Sequence, residues 1–227
     1  MQLKKITIGL TALFTLSVAN AHNIWLEKAS SEGEYVMKFG HTETEAYPQH
    51  KIQSFHILNS QGKLTALDYQ FKEGEAYITP KANIVFMAFN NGVWSKLPSG
   101  KYVEKNKREA PSAEFSTNPL KLGKAILKWD EQAFKAHDVV YELIPQAKAE
   151  AGKPLSILVL HNGKPVQGIK VGVGEDVPFN LTNEKGIAEF TPAKGENKVW
   201  AEFEEKVSEN PDYDRRSIEY MLTFNAE

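Results

Sequence analysis

The side chains able to hold a transition metal or move a proton at neutral pH are six histidines, in a chain with no cysteine: His22, His41, His50, His56, His137 and His161. Imidazole is the commonest metal ligand and the side chain whose ordinary titration spans physiological pH. The missing thiols remove cysteine nucleophiles, thiolate zinc sites, iron–sulfur clusters, disulfides and a lipid-anchored cysteine in one step. A site built here uses nitrogen and oxygen donors, which suit nickel, copper and cobalt.

His22 is distinguished by what precedes it. Lys4 and Lys5, the apolar run Ile6 to Val18 and the small residues of Ala19-Asn20-Ala21 read as a cleavable export signal over residues 1–21. That run falls short of the roughly 20 residues that span a bilayer, so a membrane anchor is the weaker reading. Cleavage after Ala21 starts the mature chain at His22-Asn23-Ile24-Trp25-Leu26 and puts a free α-amine and an imidazole on one residue. An α-amine loses its proton more readily than a lysine, and the two nitrogens can chelate one ion. Cleavage after Ala19, where Ser17-Val18-Ala19 also fits, exposes Asn20-Ala21-His22 instead. Such a terminus can wrap Ni(II) or Cu(II) in a square plane of amine, two amide nitrogens and imidazole. The competing reading is a histidine left at the processed end without a role.

His41 follows Phe39-Gly40 at an expected strand end, and Glu43, Glu45 and His50 come within the same short polar segment. If residues 41–45 run extended, His41, Glu43 and Glu45 point to one side and can complete a site begun by His22. A solvated turn is the alternative. His50, after Pro48-Gln49, is the third nitrogen donor of the candidate set. His56 alternates with Phe55 and Ile57 and reads as a half-buried strand histidine, while His137 and His161 sit beside Asp138 and Asn162 where caps and turns are expected. Trp25 either shields the terminal chelate or anchors the first strand in the core. The acidic stretch Glu202, Glu204, Glu205, Glu209, Asp212 and Asp214 lacks the spacing of a calcium loop and reads as a solvated loop.

The elements that must position these residues are strands. Apolar or alternating runs recur at 35–39, 52–58, 84–89, 155–160, 169–173, 187–190, 199–203 and 218–224. Between them stand turns rich in Asn and Gly, including Asn90-Asn91-Gly92, His161-Asn162-Gly163-Lys164 and Asn183-Glu184-Lys185-Gly186. One helix is expected over 120–136, with Leu122, Ile126 and Trp129 on one face and Gly123 against it. The small, polar stretch Gln146 to Gly152 suggests a boundary. The expected fold is all-β, with two antiparallel β-sandwich domains, Ig-like or transthyretin-like, over 22–145 and 146–227.

The stretch Leu155 to Val173, with Gly163-Lys164-Pro165-Val166-Gln167-Gly168 and then Thr182 to Phe190, resembles the transthyretin-like sandwich of carboxypeptidase regulatory domains. Ala21 to Leu26, Phe39-Gly40-His41 and Tyr141-Glu142-Leu143-Ile144-Pro145, taken with that module, resemble a family of periplasmic proteins associated with nickel and cobalt uptake. Many of its members carry only an uncharacterised-domain label. The resemblance implies metal handling beside an inner-membrane permease, with His22 matching the family's leading His-x-x-Trp-Leu.

The charge balance, 27 basic against 29 acidic residues, leaves no broad basic surface, and nucleic-acid binding is not expected. No Gly-x-Ser-x-Gly elbow, His-Glu-x-x-His or phosphate loop is present, so no enzyme is expected. One enzymatic alternative survives, a copper histidine-brace oxidoreductase using the terminal His. A second alternative is a metal-free structural or protein-interaction module. The expectation is a periplasmic protein that binds Ni(II) or Co(II), with Cu(II) as a third candidate, through His22, His41 and His50, and delivers it to permease components in the inner membrane.

Overall fold

The apolar positions of Ile84–Asn90 are consecutive rather than alternate, which demands that both faces of that strand be buried. The computed structural model describes residues 22–41, 43–59, 61–175 and 177–227; the expected leader and both expected cleavage points lie outside them. In chain order the first strands are β1 (Asn23–Lys28), β2 (Tyr35–Gly40), β3 (Ile52–Leu58), β4 (Leu64–Ala66), β5 (Gln70–Lys72), β6 (Glu75–Ile78), β7 (Ile84–Asn90), β8 (Trp94–Lys96), β9 (Tyr102–Val103) and β10 (Phe115–Thr117). They are followed by β11 (Leu120–Ile126), β12 (Tyr141–Pro145), β13 (Leu155–His161), β14 (Lys164–Pro165), β15 (Lys170–Gly172), β16 (Phe179–Leu181), β17 (Ile187–Phe190), β18 (Gly195–Lys206) and β19 (Arg215–Ala226). Short 3-10 turns occupy Gln49–Lys51 and Glu131–Phe134.

These strands form three sheets. The central one runs β16-β15-β18-β19-β11-β7-β3-β4, with β8, β9 and β10 attached beside β19. A second sheet, β1-β2-β6-β5, and a third, β12-β13-β14 with β17 on β13, complete the fold. The molecule is all-β and almost wholly antiparallel, with parallel pairing of β19 to β10 and β11.

The two outer sheets cover opposite faces of the central one, which explains β7. Ile84 and Phe86 enter a core with Leu143, Ile157 and Val159 of the third sheet, while Val85, Met87 and Phe89 enter a core with Ile24, Met37 and Ile78 of the second. Trp25 packs on Trp200 and Met221, anchoring β1 to the central sheet.

The helix expected over 120–136 is not formed. Leu120 to Ala125 run as strand β11 between Ile218 to Thr223 of β19 and Asn90 to Val85 of β7, and only a 3-10 turn follows. Lys121 and Lys124 look like a helix's polar face, but both are buried, Lys121 on Glu219 and Lys124 on Glu142. Gly123 serves close packing, since a Cβ there would stand 2.5 Å from the Met87 Cε. The acidic residues Glu202, Glu204 and Glu205 likewise lie in strand β18 instead of a loop, paired along β19.

The boundary expected at 145/146 separates β12 from β13, which pair along Tyr141 to Pro145. Since β11 and β19 are also neighbours, the two expected domains share one sheet and one core. The His161 to Lys164 turn forms as its sequence requires, with Asn162 at φ 50° and Gly163 at φ 70° closing a tight hairpin.

Candidate functional site

His22 stands at the mouth of a cleft of about 280 Å³ lined with Phe39, Glu45, Ala46, Tyr47, Pro48, Lys51, Asn91, Trp94 and Glu104. Its imidazole stacks on Phe39 at 5.0 Å between ring centres, and Phe39 stacks on Phe89 at the same separation. Its Nε2 lies 2.9 Å from the Glu45 Oε1. One ring nitrogen is thus held by a carboxylate and the plane of the ring by an aromatic wall.

Glu45 reaches His22 because the chain between them turns sharply. Gly40 takes φ 154°, and a Cβ there would fall 2.0 Å from the Glu43 carbonyl oxygen. The His41 N–H donates to the Glu43 carbonyl and the Glu45 N–H to the Phe39 carbonyl, so the described residues of 41–45 form a tight loop rather than the extended run that would align His41, Glu43 and Glu45. Beyond the loop Tyr47 fixes the chain to the second sheet. Its hydroxyl donates to the Met37 carbonyl at 2.7 Å and accepts from the Ala76 N–H at 2.8 Å. Burial pushes that phenol far above its usual range, so it remains a donor.

The far end of the cleft is polar. Lys51 donates to the Asn91 carbonyl and side chain, pairs with Glu104 at 2.7 Å, and lies near the Trp94 ring. The Trp94 indole N–H donates to the same Asn91 carbonyl. Lys51 and Glu104 also border a neighbouring cleft of about 380 Å³ that holds His50, Tyr213 and Arg216.

The three histidines of the candidate site therefore have different settings. His22 is joined by Glu45. His41 is exposed immediately beyond the last β1–β2 register pair, Asn23 with Gly40, so it and His22 leave the ladder on facing strand ends. His50 is exposed on the Gln49–Lys51 turn and opens to the neighbouring cleft. Among the described residues no three His, Asp or Glu side chains converge as a ready metal cage. A larger cleft, about 460 Å³, contains Asp130 and Glu131 but no histidine, and Asp130 is committed to the Asn83 side chain and the Gln132 N–H.

The remaining histidines are tied into structure. His161 stacks flat on Tyr141 at 4.7 Å. His56 is half-buried within β3. His137 is more than the expected cap: its Nδ1 lies 2.6 Å from Glu142, which also receives Lys124 at 2.7 Å and the His137 backbone N–H at 2.8 Å. Burial works to raise the Glu142 carboxyl, but the His137 hydrogen bond and the Lys124 charge outweigh it and hold that carboxyl below its usual range.

Residues 19–205 match the model of a domain of unknown function, DUF4198. The chain belongs to this family. It is 74% identical over 227 residues, the whole of both chains, to a protein of Haemophilus influenzae named only as uncharacterised. No solved structure matches. The matched stretch includes His22, Glu45 and Lys51 of the cleft, and also Glu142.

Proposed function

We propose that this DUF4198 protein is an exported carrier that captures Ni(II) or Co(II) at its processed N-terminus and hands the ion to an inner-membrane uptake system. The observation that carries the reading is His22 held by Glu45 and Phe39 at the mouth of a cleft. A terminal histidine closes its compact chelate ring through the α-amine and the nearer ring nitrogen, Nδ1. The square-planar chelate of Asn20-Ala21-His22 also uses Nδ1. Either cut therefore leaves Nε2 to the Glu45 carboxylate, the arrangement that orients a ligating imidazole and raises its basicity. Delivery is assigned in this proposal to a separate permease; no helix among the described residues is long and apolar enough to cross a membrane.

Native mass spectrometry on tag-free protein exported through its own leader tests this. The metal-free mass fixes the start of the chain, and added Ni(II), Co(II) or Cu(II) reads occupancy. The expected result is a start at His22 or Asn20 with one ion bound, lost in His22→Ala. A different start, or unchanged nickel binding in His22→Ala, sinks the proposal. Binding weakens as pH falls, since both donors must be deprotonated.

A second reading, a protein-contact module, is favoured by Val173, Val177, Phe179 and Leu181, exposed apolar residues within one short stretch of the second half. Under it, the tag-free mature protein is not retained on a nickel matrix and His22→Ala leaves its stability unchanged. Retention that is lost in His22→Ala sets it aside.

A further inference from the structure

The exposed large apolar side chains gather at one sheet edge. Of the six among the described residues, Val173, Val177, Phe179 and Leu181 are four, and they lie on β16 or in the chain between β15 and β16. β16 is the last strand of the central sheet and pairs only with β15. Natural edges are commonly guarded by lysine or proline within the strand. The edge strands β5 and β14 follow that rule with Lys72, and with Lys164 and Pro165. β16 reads Phe179-Asn180-Leu181, and no charged residue occurs from Val177 to Asn183.

The backbone of β16 is only half spent. Asn180 stands opposite Val171 in the β15 register, and the Thr182 N–H donates to the Ile169 carbonyl at 2.9 Å. In an antiparallel pair, residues turn alternately toward the partner strand and away from it. Asn180 therefore shares the inward sense of Thr182, and the N–H and carbonyl of Phe179 and of Leu181 point away from β15. Neither residue finds another backbone partner among the described residues. Their side chains share the face opposite to Asn180, whose amide donates to the Glu189 carbonyl. Outward backbone groups of this kind accept an extended strand, and the alternate apolar side chains ask for apolar ones beside them.

A second copy supplies that strand. When two β16 strands run antiparallel about a two-fold axis through Asn180, Phe179 of each copy faces Leu181 of the other, and every outward N–H meets an outward carbonyl. The apolar pairs fall on one face, the uncharged strand sets no like charges opposite each other, and the edge is used up, so assembly stops at two. We propose that β16 is a homodimer interface, joining the central sheets of two copies through antiparallel β16 pairing centred on Asn180. The contact is short, so the dimer is transient. It gives the exposed apolar stretch a partner and is independent of metal capture at His22.

The test is sedimentation velocity of the tag-free mature chain, without added metal, up to roughly millimolar protein. A concentration-dependent shift from monomer to dimer, with no larger species, is expected. Leu181→Lys should weaken self-association by roughly 3- to 30-fold, through loss of both cross-strand apolar pairs, and Phe179→Glu should act likewise. Mixed one to one, the two variants should associate more tightly than either alone, because the register sets the new ammonium opposite the new carboxylate. The chain has no cysteine, so Asn180→Cys reports the axis. A non-hydrogen-bonded antiparallel pair places its Cα atoms about 4.5 Å apart, within disulfide range. Oxidised glutathione should therefore cross-link Asn180→Cys and leave Thr65→Cys, on the edge strand β4, monomeric. A chain that stays monomeric throughout, a dimer untouched by Leu181→Lys, or equal cross-linking of the two cysteine variants overturns the proposal.

Discussion

At Glu142 three donors converge in the core, from the Lys124 ammonium, the His137 ring and the His137 backbone. Breaking a buried pair leaves an uncompensated charge, so Glu142→Gln should destabilise the protein by about 3–5 kcal/mol at pH 7. Because the folded-state carboxyl is held low, its contribution is present above the ordinary carboxyl range and is lost as pH falls through the folded value. Urea melts should therefore show the gap between wild type and variant shrinking as pH falls below the ordinary carboxyl range; a constant gap across that range would contradict the assignment. Glu219 has the opposite sign, since burial pushes its carboxyl up despite Lys121, and its ionisation opposes folding as pH rises through the interval above the ordinary value. At the surface, Glu45 acts through the imidazole it orients. Glu45→Ala should cost roughly 10- to 100-fold in nickel affinity by titration calorimetry, the usual effect of removing such a carboxylate. His41→Ala should cost less, and a larger loss there would relocate the site. His22 was singled out as a candidate ligand from residue order alone, whereas Glu45 was one acid among many until the Gly40 loop placed it beside that imidazole.

The loop that follows β2 is the element on which the His22 site depends. Gly40 combines a φ that side chains rarely adopt with a carbonyl oxygen where a Cβ would be. Gly40→Ala should therefore open the loop, lower the melting temperature and weaken nickel binding together, while the fold, held by β7, β11 and β19, persists in circular dichroism. Unchanged metal affinity in Gly40→Ala would show that the loop does not position Glu45. Strand β11 illustrates the limit of local pattern. Leu122, Ile126 and Trp129 repeat as on a helix, and the two lysines complete the impression of a polar face. Their carboxylate partners lie 98 residues away for Lys121 and 18 residues away for Lys124, beyond any local window. The strands with apolar or alternating runs, such as β3, β7 and β17, were legible because side chains facing a core leave period-two or continuous patterns. The short strands β8, β9, β10 and β14 carry no such pattern and exist through their neighbours.

Across the whole molecule, stability rests on the last strand. β19 lies between β18 and β11, and its two faces contribute to different cores. A fragment of residues 22–145 lacks the strand that pairs with β11 along Ile218 to Thr223. It should be unfolded or aggregated in proton NMR, as should a chain ending before Arg215. A dispersed spectrum from the fragment would show that the first half folds alone. The small, polar stretch at 146–152 looks like a linker, but Ala149 is fully buried and the Ala151 N–H donates to the Glu227 carbonyl.

The sequence by itself determined the strand-rich class, the tight Asn-Gly turns and the absence of thiol chemistry, and it marked His22 as a candidate ligand. Each depends on residue type or on neighbours a few positions apart, where backbone preference and face periodicity act directly. Only the tertiary structure decided that Glu45 meets His22, that His50 faces another cleft, that buried lysines lie within a strand, and that both halves share one sheet. Those outcomes depend on pairings across long chain separations, where burial of a charge or an apolar face is settled by whichever distant strand arrives to cover it.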